Sequence, residues 1–311
     1  MTRTRGLSLL VLTAIAGCQL VGGYAEFDYD TTAAPAPPEH ACNVLPESKT
    51  DGNGLAVMIR VNLRDDTCLW MDRTEVTVEQ YAQWESAIPA EGPGAPEWEQ
   101  TWCRWKTERN EPRRDVTDAC RAAILPFDLE PFAPRKPMRC VDFCEAEAFC
   151  RWADKRLCYD AGVLGVQGPQ SGLLEWRLAC TNAQSTAYPW GDEPAALCNT
   201  GQGPDEECVG LSPTCGPVPV GEKAGCKTPS GIVDLLGNVA EWVYSCNYVD
   251  PAKPLEPTGC LTLGGGYDEP LQNCNIEKTT MSDVRSPSLG FRCCADLTGP
   301  EEETVLDATR R

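Results

Sequence analysis

Asp234-Leu235-Leu236-Gly237-Asn238-Val239-Ala240-Glu241-Trp242 is the stretch on which the reading of this chain turns. Gly237-Asn238 is a turn pair, because both residue types tolerate the left-handed backbone that tight turns need. Two carboxylates, Asp234 and Glu241, flank that turn. Together with free backbone carbonyls they offer hard oxygen donors, the ligand type that suits Ca²⁺. Taken on spacing alone, a capped turn with solvated acids is the simpler account.

Working outward, two helices announce themselves by their first turns. Thr77-Val78-Glu79-Gln80 has capping-box spacing and opens a helix through Tyr81 and Trp84 to Ile88. Asp142-Phe143-Cys144-Glu145 repeats the device, and Phe143, Ala146, Phe149, Cys150 and Ala153 follow on one helical face. A shorter helix is expected over 173–180. Elsewhere short apolar runs are broken by Gly and Pro, which predicts an α+β fold with much coil. No repeat of 20–50 residues is present, and a body of about 250 residues can bury one sizeable core.

The N-terminus reads as an export signal. Arg3 and Arg5 precede an apolar run from Leu7 to Ile15, too short for a permanent span, and then Ile15-Ala16-Gly17-Cys18. The last four residues resemble a lipobox, so residues 1–17 are expected to be cleaved and Cys18 acylated. Gln19 after that cysteine favours the outer membrane over inner-membrane retention. Residues 18–42, with Ala34-Pro35-Ala36-Pro37-Pro38, read as a flexible tether, 43–297 as the globular domain, and 298–311 as a disordered acidic tail.

Nineteen cysteines leave eighteen once Cys18 is set aside, an even set that reads as a disulfide framework of up to nine bridges in an exported chain. No Cys-x-x-Cys pair occurs and the single histidine is His40, so zinc and iron–sulfur sites are not expected. The one histidine, placed in the tether, also excludes Ser-His-Asp and Cys-His hydrolysis. The formal charge is −19, and −21 after loss of the two signal arginines. That balance argues against nucleic acid and against electrostatic docking on anionic lipid; membrane association is expected through the lipid anchor alone.

Seven segments, in order, resemble the formylglycine-generating enzyme (sulfatase-modifying factor) family. They are Met71-Asp72-Arg73-Thr74-Glu75-Val76-Thr77, the run from Ala148 to Leu157, Glu175-Trp176-Arg177-Leu178-Ala179-Cys180, the run from Tyr188 to Pro194, Gly237 to Trp242, Gly264-Gly265-Gly266-Tyr267, and Gly290-Phe291-Arg292-Cys293. The resemblance implies a variant of the C-type lectin fold. One departure is a long insertion between Leu157 and Trp176, which reads as a surface loop.

The resemblance carries site residues with it. It implies structural calcium at Asp234, the carbonyls of Gly237 and Val239, and Glu241. A second calcium site would begin at Asn199 and Thr200, with Asp205 and Glu206 as further candidates. It also implies a Cys150–Cys293 disulfide. The family's catalysis uses two cysteines to bind Cu(I), which prefers thiolate ligands. Here the second of those positions is Cys274, but the first is Glu269, and a carboxylate is no substitute for a thiolate on Cu(I). The family's serine falls on Gly266 and its tryptophan on Ala240. The resemblance places Cys180 in a bridge whose usual partner falls on Thr279, leaving Cys274 and Cys294 as alternatives.

Copper is therefore not an expected cofactor, whereas calcium is. The expected role is a non-catalytic, calcium-braced binding or scaffold module in the cell envelope, with an exported protein or glycan as partner. A divergent oxidase acting on an exported partner, and a purely structural envelope component, are the alternatives.

Overall fold

In the computed structural model, residues 41–309 are described apart from 64–66, 88–102, 110–119, 121–132, 161–173, 184–185, 202–215 and residues 248, 251 and 254. The signal, Cys18, His40, Asp205, Glu206 and most of the 158–175 insertion lie outside the described residues.

Two sheets organise the domain. The first contains β1 (Ser48–Thr50), β2 (Val57–Asn62), β3 (Cys68–Asp72), β4 (Arg156–Leu157) and β9 (Cys293–Ala295), ordered β1-β2-β3-β9-β4. The second contains β5 (Ala240–Cys246), β6 (Gly259–Leu263), β7 (Glu277–Met281) and β8 (Leu289–Phe291), ordered β7-β6-β5-β8, with β5 and β8 parallel. The pairing of Ala240 with Leu289 and of Glu241 with Gly290 brings two of the quoted segments side by side.

The capping signals act locally, and the helices begin where they stand. Helix α1 spans Val78–Ala87, with the Gln80 side chain accepting from Thr77 N–H at 2.8 Å and Thr77 Oγ1 accepting from Gln80 N–H at 3.3 Å. Helix α2 spans Arg104–Arg109. Helix α3 spans Phe143–Trp152 behind a complete Asp142/Glu145 capping box. Helix α4 spans Glu175–Cys180. Between α1, α3 and β8 lies an aromatic core: Tyr81 stacks on Phe149 at 5.7 Å, and Phe149 meets Phe291 edge-on at 5.4 Å.

Two boundaries differ from the sequence expectation. Residues 298–311 were expected to fray, yet Gly299–Thr309 forms helix α5. Glu301 and Glu302 occupy its first turn, where the helix dipole favours acids. Glu301 also accepts from Trp70 Nε1 at 3.2 Å and pairs with Lys49 at 2.8 Å, while Val305 packs with Ala41, Cys42 and Trp70. The helix shows little apolar periodicity; Glu301 caps its start by accepting from Thr298 N–H at 2.8 Å, and the long-range contacts seat it on the domain. At the other end Cys42, assigned to the tether, is bonded to Cys68 at the start of β3, so the ordered body begins by Ala41.

Eight disulfides join sixteen described cysteines. Cys150–Cys293 ties α3 to β9, and Cys158–Cys294 ties the segment after β4 to the neighbouring residue of the same strand. Cys246–Cys260 crosslinks the paired strands β5 and β6, and Cys103–Cys144, Cys120–Cys140 and Cys198–Cys226 fasten further segments.

The α3 cap is also the centre of a buried charge network. Asp142 bonds Lys106 and Arg285, each at 2.5 Å, and Glu145 lies against both cations. Burial first, and Glu145 second, push the Asp142 carboxyl up to about 6, against the pull of Lys106 and Arg285. A raised carboxyl favours the protonated folded state. Its contribution to stability is therefore full below the ordinary carboxylate value and is lost as pH rises through about 6. Asp142→Asn keeps a good N-cap. Relative to the parent, its stability should improve as pH rises from 4 to 7. Denaturant melts at several pH values that gave a constant difference would refute this.

Candidate functional site

The Gly237-Asn238 turn sits where two loops nearly touch. Gly237 has φ +75, and a Cβ there would lie 2.4 Å from the Asn199 carbonyl oxygen, so only glycine fits. Asp234 and Asn238 also adopt left-handed backbone, at φ 56 and 57. The Asn199 side-chain amide donates to Gly216 O and Asn238 Oδ1, both at 3.1 Å, locking the two loops together. Thr200 is buried beside this contact.

Beneath the turn lies a buried acidic cluster. Glu241, fully buried on β5, accepts from Arg292 Nε at 2.8–2.9 Å, from Arg292 Nη2 at 2.6 Å and from Trp176 Nε1 at 2.7 Å. Arg292 also donates to Asp72 O at 3.1 Å and Val233 O at 3.0 Å, so its guanidinium is enclosed. Asp234 accepts from Gly221 N–H at 2.5 Å. Glu75, a residue not picked out as a ligand from sequence, is fully buried here and accepts from Asn238 Nδ2 at 3.3 Å.

Three carboxylates thus share one guanidinium. Burial, then the neighbouring Asp234, hold Glu75 well above the usual carboxylate range. Burial likewise pushes Asp234 up to about 6. Burial alone would lower Arg292, but contact with Glu241 outweighs it and the group stays above its ordinary value.

The donor set fits a hard dication in charge and chemistry: buried carboxylates in surplus, plus turn carbonyls. Its geometry fits less directly. Among the described residues no three His, Cys, Asp or Glu side chains converge as metal ligands, and the Glu241 oxygens are engaged by Arg292 and Trp176. Asp234 and Glu75, with the carbonyls of Gly237 and Val239, are the residues that would hold the ion.

At the positions matching the copper pair, the chemistry is different. Cys274 is buried and bonded to Cys180, with Cα atoms 5.7 Å apart. Glu269 pairs with Lys278 at 2.5 Å on the edge strand β7. A Cβ at Gly266 would lie 2.7 Å from Ser288 Cβ, so the neighbouring loop already fills the space a serine would need. The sulfur at 274 cannot act as a thiolate while the bridge stands.

The sequence of the domain also matches known proteins. Residues 59–297 match the sulfatase-modifying factor enzyme 1-like domain. The formylglycine-generating enzyme of Thermomonospora curvata is 28% identical over 187 residues, covering 52% of this chain and 56% of that protein. Hercynine oxygenase of Mycolicibacterium thermoresistibile is 31% identical over 123 residues, covering 38% of this chain and 22% of that one. Among solved structures, PvdO from Pseudomonas aeruginosa aligns with a TM-score of 0.49 and 16% identity, covering 81% of this chain and 99% of that one. The chain spans about half the length, or less, of the curated relatives it matches. With some three-quarters of its length matched, this chain belongs to the sulfatase-modifying factor enzyme 1-like domain family, whose members include formylglycine-generating enzymes and a hercynine oxygenase.

Proposed function

We propose that this protein is a non-catalytic member of its family: a lipid-anchored, exported envelope module that binds or scaffolds a partner, on a frame braced by disulfides and calcium. The Cys180–Cys274 bridge carries this reading. It removes the only cysteine at the copper positions, and Glu269 at the other position offers a hard oxygen where Cu(I) needs sulfur. Eight bridges support an oxidising compartment, and the lipobox-like Cys18 supports anchoring, with the outer membrane favoured.

Peptide mapping of the non-reduced protein after thiol alkylation tests it. The expected result is a Cys180–Cys274 cross-linked peptide, no stoichiometric Cu(I) binding and no oxygen consumption with cysteine-containing peptides. An alkylated Cys274, together with tight Cu(I) binding, would revive oxidase chemistry.

Calcium is the second part of the proposal. A ligand that binds only the folded state stabilises it by about 2.7 kcal/mol at a hundredfold excess over Kd. Millimolar Ca²⁺ should therefore raise the melting temperature of chelator-treated protein, and Asp234→Asn combined with Glu75→Gln should erase the response. A melting temperature indifferent to Ca²⁺ would remove calcium from the account.

A further inference from the structure

A groove of about 570 Å³ opens on the surface behind the acidic cluster. Its walls include Arg73, the start of α1, and Arg135. Its size is within the range of small-ligand sites, about 300–1,000 Å³.

The arginines are the unusual feature. The chain carries 46 acids against 27 lysines and arginines, so cations are readily claimed. Lys106, Lys155, Arg156, Arg285 and Arg292 all stand in ion pairs. Arg73 and Arg135 are both exposed, and neither guanidinium has an ion pair or hydrogen bond among the described residues. Their backbones are fixed nonetheless: Arg73 O accepts from Val233 N–H at 2.9 Å, and Arg135 O from Val220 N–H at 3.0 Å. Two guanidinium forks on pinned backbone, in one groove of an acidic protein, suit an oxyanion.

The remaining wall narrows the ligand. Glu79 and Gln83 are exposed, line the same groove, and lie four residues apart on α1, hence on one face. A bare anion gains nothing from Glu79 and is repelled by it. A ligand that also presents hydroxyl groups can donate to Glu79 and bond both ways with the Gln83 amide.

We propose that this groove binds an acidic saccharide, with its carboxylate or sulfate held by Arg73 and Arg135 and its hydroxyls by Glu79 and Gln83. The inference rests on the binding role proposed above and supplies its ligand class.

The test is calorimetric titration of the disulfide-intact mature protein in low salt. The probes are a heparin hexasaccharide, a hexagalacturonate, neutral maltohexaose and inorganic sulfate. Binding of either charged hexasaccharide, with no binding of maltohexaose, is expected; which one binds distinguishes sulfate from carboxylate. Arg73→Gln or Arg135→Gln should each weaken binding about tenfold, and the pair about a hundredfold, as expected for loss of charged hydrogen bonds. Glu79→Gln should weaken the saccharide but not inorganic sulfate. Because all three positions are exposed, unchanged melting temperatures verify folding. Three results overturn the proposal: silence with both charged probes, full affinity in the double arginine variant, or inorganic sulfate binding as tightly as the saccharides. Each leaves the copper and thiol assays above untouched, so this groove and the non-catalytic reading can fail separately.

Discussion

Removing Cys150–Cys293 and Cys158–Cys294 together should cost far more than removing either one. The two bridges have sequence separations of 143 and 136, and both end on β9 at adjacent residues. They therefore close nearly the same loop. With Cys158–Cys294 intact, Cys150–Cys293 closes only the ring of about ten residues between the two crosslinks, worth about 3 kcal/mol in chain entropy. With neither, the long loop is open, shortened only by bridges nested inside it such as Cys180–Cys274. The joint loss is then about 7 kcal/mol. That is comparable to the whole stability of a typical domain, about 5–15 kcal/mol. The alanine pair at 150 and 293 should fold with a lowered denaturation midpoint. The four-alanine variant should be largely unfolded at 37 °C even after export. Denaturant unfolding of the two variants decides it. If the losses are equal, or if the four-alanine variant melts near the parent, the bridges are not acting by closing that loop. The same logic predicts that synthesis in a reducing cytosol gives misfolded protein.

What the sequence made legible was local or carried by motif. The capping boxes at Thr77 and Asp142 fix helix starts within three residues, and the structure places both helices there. Gly237 and Gly264 sit where a side chain would meet the backbone oxygens of Asn199 and Leu235 at 2.4 and 2.5 Å. Their place in turn motifs follows from that crowding.

What stayed hidden depends on chain segments far apart in sequence. Cys274 and Cys294 were equal partners for Cys180 on paper; in the structure Cys294 is taken by Cys158, which leaves Cys274 for Cys180. Glu75 joins the acidic cluster from 163 residues before Asn238, with which it bonds. A possible signal was its position, an acid between Thr74 and Val76 in a segment otherwise leading into the core. Helix α5 starts on a local signal, Glu301 accepting from Thr298 N–H, but it is seated on the domain by Trp70 and Lys49, more than 230 residues upstream. No window-based pattern contains such pairs.

Arg292→Met should be the most damaging single substitution in the domain. Arg292 is about 1% exposed, and its guanidinium holds both Glu241 oxygens and three backbone carbonyls, of Asp72, Arg73 and Val233. Methionine fills much of the volume but leaves Glu241, Glu75 and Asp234 buried around no cation. Breaking a buried pair from one side costs about 3–5 kcal/mol, and the stranded carbonyls add to that. Arg292→Lys keeps the charge but not the fork, and should recover only part of the loss. Combining Arg292→Met with Glu241→Gln removes both charges of the pair, so the double variant should be more stable than the sum of the singles predicts. The expected coupling is about 2–3 kcal/mol, the upper end for residues in one ion-pair network. Calcium then discriminates between roles for Glu241. If Glu241 serves Arg292 and the ion is held by Asp234 and Glu75, Glu241→Gln should cost the same stability with Ca²⁺ as with chelator. A cost that appears only with Ca²⁺ would make Glu241 a metal ligand and Arg292 the group it leaves behind. Freed of its competitor, Arg292→Met should bind Ca²⁺ more tightly than the parent, because the same carboxylates then have no other cation to satisfy them.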